Sequence, residues 1–477
     1  MTPRKILSFA VGPVGGALLG LITLPLVTWF FAQEDVGRLS MLQVTLSFSI
    51  LLFSLGLDQA YVREFHERED KPALLKHAVL PGFLLLTFTI AVLLYFGGLI
   101  SDLLFEVPAI HLSLLVTLAL LASFTSRFLS LVLRMNERGL AYSMSQLLPK
   151  LLLVILIGLY VLLDVEKSLT NLVVAMTASV VAVTMVFAWN TRAEWLKAIN
   201  SSFNCIEVKS MLRFGLPLIF GGLAFWGLTA LDKVFLRTLS SFEELAVYSV
   251  SVSFAAAATI FQSVFSTVWA PTVYKWASSG QGLENVEKTT RFVLAIVVLV
   301  FCLAGLFSWI VTYFLPSEYD AVQWIVVSCL GYPLLYTLSE TTVVGIGISR
   351  RSSFAMLAAI LAFCVNIIGN LLLIPVFGAG GAAVSTCISF LVFFVLRTEF
   401  SIHLWRKMPR AIVYAYTSVI VLLACTFTLY GNELVEIMII GWITVIVASC
   451  ISFKREYIAT FKFVRGSTKF NKDSTKS

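Results

Sequence analysis

The feature that most constrains this chain is the recurrence of long apolar runs. From Leu7 to the neighbourhood of Ile451 they follow one another, each of roughly 17–25 residues and so long enough to cross a ~30 Å hydrocarbon core. About fourteen are readable by that criterion: 8–31, 39–57, 78–98, 109–131, 141–163, 169–189, 213–236, 246–270, 292–314, 321–345, 354–376, 381–397, 411–430 and 435–452. The first follows Arg4 and Lys5, as a signal peptide would. Its apolar part, Phe9 to Phe31, is longer than the roughly 7–15 residues of a signal core, which predicts a retained helix. Only 13% of the 477 residues are charged, against about 25% in soluble domains. The fold class that follows is all-α and polytopic.

An even number of crossings places both termini on one side, and the basic residues say which. Of 34 Lys and Arg, 28 lie in or beside segments on the N-terminal side. Arg38, Lys167 and Arg237 lie on the other side, and Arg127, Lys150 and Lys233 within spans. Cytoplasmic loops concentrate Lys and Arg, so both termini are expected in the cytoplasm. The net charge of +7 then reflects topology plus a basic tail, 454–477, suited to an anionic leaflet, and nucleic acid is not an expected partner. The seven cysteines form no disulfide or metal spacing: six sit in apolar spans and Cys205 in a cytoplasmic segment. No metal site or bound cofactor is expected.

The first span carries Gly12, Gly16 and Gly20 at four-residue intervals, which lets another helix backbone come close in lipid. Pro13 and Pro25 in the same span fit either tight packing or a helix that bends during transport. The second span ends in mixed charge, where Arg63 is either solvated or placed to recruit an anionic head group. Arg127 lies about two turns inside the fourth span, within snorkelling reach of the interface. Lys150 is deeper, near mid-membrane, with Pro149 beside it and Gln146 one turn before. A charge at that depth costs about 2.5–3.5 kcal/mol even on permissive scales and faces a cavity or a partner. Segment 190–212, with Trp195, Leu196 and Ile199, reads as an interfacial connector on the cytoplasmic side.

After the connector the chain starts over. Glu34-Asp35 aligns with Glu243-Glu244, and QAYVREF from Gln59 with PTVYKWA from Pro271, which brings Arg63 onto Lys275. The expected organisation is a six-helix lobe at 1–189, the connector at 190–212, a second six-helix lobe at 213–400, two further helices at 401–453 and the tail. Parallel repeats of this kind are related by a pseudo-two-fold axis and bind substrate at their interface near mid-membrane.

Three passages carry a family resemblance: LPLVTWFFAQEDVGRLSM with GLDQAYVREF, LDKVFLRTLSSFEELAVYSVS, and IPVFGAGGAAVSTCIS from Ile374. The chain resembles the Wzx-type polysaccharide flippases of bacteria, part of the superfamily that includes multidrug exporters and the lipid II flippase. The resemblance implies alternating access moving an undecaprenyl-pyrophosphate-linked oligosaccharide from the cytoplasmic to the periplasmic leaflet of the inner membrane. It also implies a cationic cavity, a proton or sodium gradient as driving force, and contacts with a polysaccharide polymerase and glycosyltransferases. On this reading Lys150, Arg127, Lys233 and Arg63 bind the substrate. Gln43, Gln146, Gln262, Asn366 and Asn370 supply polar lining. Asp232, beside Lys233, matches the family's acidic-basic step before the periplasmic turn and forms a pair or a gate. Glu340 is the lone carboxylate suited to coupling, or else an interfacial partner of Arg350 or Arg351.

Two rivals share the fold. A multidrug exporter places acidic residues in its lobes, whereas Arg127 and Lys150 make this interior basic. The lipid II flippase branch carries charge in its first helix, which is absent here between Lys5 and Glu34. An enzyme on the same lipid needs catalytic groups displayed in a sizeable loop. Here the exported loops are short, and His66, His77, His111 and His403 have no partner at diagnostic spacing.

Overall fold

A computed structural model describes residues 3–280 and 284–458, and all regular structure among them is helical. The basic tail lies almost wholly outside the described residues. By contacts the chain divides into two compact units, Met1–Ser253 and Phe254–Ser477.

The first unit comprises α1 (Pro3–Phe30), α2 (Gln33–Phe53), α3 (Leu57–Glu64), α4 (Lys71–Tyr95), α5 (Leu99–Phe105) and α6 (Ile110–Met135). It continues through α7 (Gly139–Leu162), α8 (Leu169–Asn190), α9 (Arg192–Asn200), α10 (Cys205–Leu239) and most of α11 (Phe242–Ala255). The glycine ladder of α1 does what its spacing predicts, and its partner is α7. Gly12 lies against the Ser143 backbone, Gly15 against Leu147, Gly16 against Gln146 and Gly20 against Lys150. Without side chains on that stripe the two helices approach closely enough for α7 to reach the α1 backbone. α6 fills the centre, with Val116, Phe124 and Phe128 essentially unexposed.

α10 begins eight residues before its predicted span, about two turns inside the connector, and packs along α2 and α3. Trp226 Nε1 donates to Ser47 Oγ at 3.1 Å and its ring lies 4.9 Å from that of Phe48. Where α2 stops, Gly56 meets Gly215 of α10 backbone to backbone. At the start of α2 the charges are neutralised locally. Arg38 bonds Glu34, Asp35 (3.0 Å) and the Phe105 carbonyl (2.9 Å), and covers the Phe242 ring.

The second unit holds α12 (Ala258–Ser279), α13 (Glu284–Phe307), α14 (Val322–Cys329), α15 (Gly331–Thr342), α16 (Val344–Ile348), α17 (Ser352–Leu404), α18 (Ala411–Tyr430) and α19 (Val435–Ser452). α17 covers two of the predicted spans. They meet at Gly378, whose backbone (φ 51°, ψ −127°) is open only to glycine. Small residues follow at once, and Gly381 sits against the Leu373 carbonyl, so the chain doubles back without a loop.

Among the described residues eleven helices are long and apolar enough to cross a membrane, or twelve if the bent pair Phe242–Ala255 and Ala257–Ser279 is one span. The fourteen predicted runs map onto these, because α17 accounts for two of them and Gly15–Phe30 counts as a shorter apolar helix. The chain is a multi-pass membrane protein.

Candidate functional site

Lys150 sits eleven residues into α7, about 16 Å from its start at 1.5 Å per residue. Its ammonium donates to the backbone carbonyl of Gly16 at 2.6 Å, and it is half-buried. The glycine at position 20 makes room: a Cβ there would stand 3.1 Å from Nζ. No carboxylate among the described residues pairs with Lys150. An ammonium in the middle of a span that gives one donor to a neutral carbonyl has two further donors for an anion. Gln146, one turn earlier on α7, faces the same glycine stripe.

Nearer the basic face, Arg127 is a paired residue. Its Nη2 bonds Asp58 Oδ2 at 2.7 Å, and Gln59 Nε2 donates to the same oxygen at 3.0 Å. Snorkelling alone therefore does not account for it. Asp58, buried at the first turn of α3, is its partner. Arg63, one turn further along, has no carboxylate partner among the described residues and lies over the Phe214 ring at 4.3 Å. It lines a polar cavity of about 290 Å³ with Glu64, Glu67, Arg68, Ser210 and Phe214. Arg68 in turn is bound by Glu64 at 2.7 Å and by Glu207.

On α10, Asp232 is fully buried and accepts a hydrogen bond from the Tyr248 hydroxyl at 2.5 Å. The acidic-basic step is thus tied to α11 through a residue that sequence reading passed over. Lys233 next to it, and Gln43 on α2, are half-buried.

In the second unit Glu340 has a different partner from those the sequence offered. Arg397 Nη2 bonds Glu340 Oε1 at 2.8 Å, and its Nη1 donates to Ser339 Oγ at 2.6 Å. The guanidinium also lies over the rings of Tyr336 and Phe393, at 5.3 and 5.0 Å. Arg350 and Arg351 do not take this carboxylate. Arg397 is the last residue of the predicted span 381–397, but α17 continues past it to Leu404 and keeps it inside. Trp269 Nε1 of α12 donates to the Glu340 carbonyl at 2.9 Å, and Gln262 lies on the same helix. Trp269, Tyr336, Ser339, Glu340 and Arg397 thereby form one seam across α12, α15 and α17. Asn366 and Asn370 are fully buried: Asn366 bonds Thr386, and Asn370 bonds Asn366, each at 3.1 Å. That places them in the packing between the two arms of α17, with no exposure to a cavity.

The sequence profile of the family described as "polysaccharide biosynthesis protein" matches residues 3–276, more than half of the chain. The chain belongs to the polysaccharide biosynthesis protein family. The resemblance to polysaccharide flippases therefore holds at the level of the family. No curated protein matches by sequence alone. Solved structures share the fold of this family member. The lipid II flippase MurJ, in an inward closed conformation, aligns with a TM-score of 0.68 at 15% identity, over 94% of this chain and 99% of that one. An inward-facing multidrug resistance MATE family transporter of the MOP superfamily aligns at 0.56 and 15% identity, over 84% and 96%. An outward-facing one aligns at 0.53 and 14%, over 83% and 94%. Neither set of pairs, Asp58–Arg127 or Glu340–Arg397, could have been assigned from spacing. The available signal was a charged residue at the end of each apolar run.

Proposed function

We propose that this polysaccharide biosynthesis protein is a flippase. It moves an undecaprenyl-pyrophosphate-linked oligosaccharide from the cytoplasmic to the periplasmic leaflet by alternating access of the lobes at 1–189 and 213–400. The observation that carries the reading is Lys150, an ammonium in mid-span bonded to a carbonyl and, among the described residues, to no carboxylate. A pyrophosphate bearing sugars cannot cross hydrocarbon, whereas its polyprenyl tail never leaves it. A fixed cation midway offers the head group a charge partner where bare lipid offers none. Arg63, exposed and with no ion-pair partner among the described residues, is the complementary contact at the cytoplasmic mouth, and Lys233 adds a third cation. Arg127 contributes once Asp58 is displaced. Asp232 with Tyr248 acts as a gate, and Glu340, held by Arg397, is the group through which a proton or sodium gradient is coupled. Both termini lie in the cytoplasm and the protein resides in a bacterial inner membrane, where a polymerase and glycosyltransferases are its working partners. The activity is transport, with no covalent chemistry.

The test is deletion of the gene beside a Lys150→Ala strain. Polyprenyl-pyrophosphate oligosaccharide in the inner leaflet is quantified by mass spectrometry, together with surface polymer and membrane levels of the variant. Accumulation of the lipid-linked sugar and loss of surface polymer are expected in both strains, with the variant present at wild-type level. Unchanged lipid-linked sugar with new sensitivity to cationic dyes would establish a multidrug exporter instead.

A further inference from the structure

The first unit also contains a cavity of about 500 Å³ bounded by α4, α6, α8 and the short helix α9. Its walls include Val79, Phe83, Phe128, Leu129 and Trp195, with Lys76 at one end. Apart from Lys76, the polar side chains in the wall are satisfied internally. Thr125 Oγ1 donates to the Leu121 carbonyl at 2.8 Å, and Trp195 Nε1 to the Ala188 carbonyl at 2.8 Å. The wall thus offers nothing to a polar ligand and suits hydrocarbon alone. From Lys76 to Phe83 it runs about 10 Å along α4.

The end of the slot is built differently. Lys76 Nζ donates to the carbonyls of Ile199 (2.8 Å) and Ser201 (2.6 Å), where α9 ends. Those bonds fix the ammonium at the mouth and use two of its three donors, which leaves one donor and the charge. α9 adds Arg192 and Lys197, while its only acid, Glu194, is taken by Arg138 at 2.8 Å. Its Trp195, Leu196 and Ile199 give it the apolar side of a helix lying in the membrane interface.

We propose that this slot binds one acyl chain of an anionic phospholipid from the adjoining leaflet, with the lipid phosphate on Lys76. One fixed ammonium with one free donor matches the single charge of a phosphodiester. The short apolar slot takes part of an acyl chain and has no room for a long polyprenyl tail. The lipid would pin α9, and so the start of α10, to the ends of α4 and α6.

The test uses purified full-length protein stripped of lipid in detergent, then given phosphatidylglycerol and phosphatidylcholine of identical chains in equal amounts. Bound lipid is counted by native mass spectrometry. One phosphatidylglycerol per chain should be retained in preference, and Lys76→Gln should lower that preference about fivefold, the effect of one basic residue at a lipid surface. Val79→Trp, which fills the slot, should abolish retention of either lipid while the protein remains monodisperse with an unchanged melting temperature. Equal retention of the two lipids by the wild type overturns the proposal, as does retention that survives Val79→Trp. Displacement of phosphatidylglycerol by equimolar undecaprenyl phosphate also overturns it and makes the slot a substrate site.

Discussion

Arg397→Ala is expected to destabilise the protein by about 3–5 kcal/mol, the penalty for leaving one member of a buried ion pair without the other. The two side chains are 11% and 15% exposed, so water replaces little of the lost contact. Ser339 loses its bond to the guanidinium, and the rings of Tyr336 and Phe393 lose the cation that they cover. Removing both charges has a different consequence. In Glu340→Gln with Arg397→Met the carboxylate is no longer stranded, and a hydrophobic side chain of similar length keeps the packing. Replacing such a pair by neutral groups is often close to neutral in stability. The double variant should therefore melt nearer the wild type than Arg397→Ala does, by most of the difference. Melting in detergent of the wild type, Glu340→Gln, Arg397→Met and their double variant, with Arg397→Ala alongside, decides this. Additive losses would show that the two groups do not interact. The same double variant should lose transport, because the proposed coupling carboxylate is gone.

That pair also shows where sequence reading stops. The crossings were legible because lipid leaves a backbone segment no alternative to a helix of fixed length, so apolar run length maps onto structure almost directly. The glycine ladder of α1 and the mid-span Lys150 were legible for the same reason, since each breaks the rule that a span be bulky and uncharged. Partners were not legible. Glu340 was offered Arg350 and Arg351, ten residues on, yet it pairs with Arg397, which the fold of α17 at Gly378 returns to it. Arg127 reads as a snorkelling residue until Asp58 arrives from the start of α3. The bend between α11 and α12 falls in the alanine run Ala255–Ala258, where no proline or glycine marks it. Asn366 and Asn370 had the polarity of a cavity wall but serve to join two arms of one helix pair.

Gly56→Ala should be far more damaging than the same change at Gly97, although both glycines have left-handed backbones, with φ of 68° and 69°. The strain of placing a side chain in that region is about 1 kcal/mol or slightly more in each case. At Gly97 nothing lies within 4 Å of the added methyl, so the strain is the whole effect. At Gly56 the methyl would overlap the backbone of Gly215, whose own missing side chain is what lets α10 lie against the end of α2. Backbone cannot rotate away as a side chain can, and overpacking of this kind typically adds about 1–3 kcal/mol. Gly56→Ala should accordingly lose about 2–4 kcal/mol in all. The contact joins the start of α3, which carries Asp58 and Arg63, to α10, which carries Asp232 and Lys233. Displacing it therefore shifts proposed binding and gating groups together, and transport should fall even where the variant still reaches the membrane. Equal melting temperatures for Gly56→Ala and Gly97→Ala would mean that the two backbones do not meet. A large loss of stability at Gly56 with unimpaired transport would mean that the contact holds the fold without positioning the site.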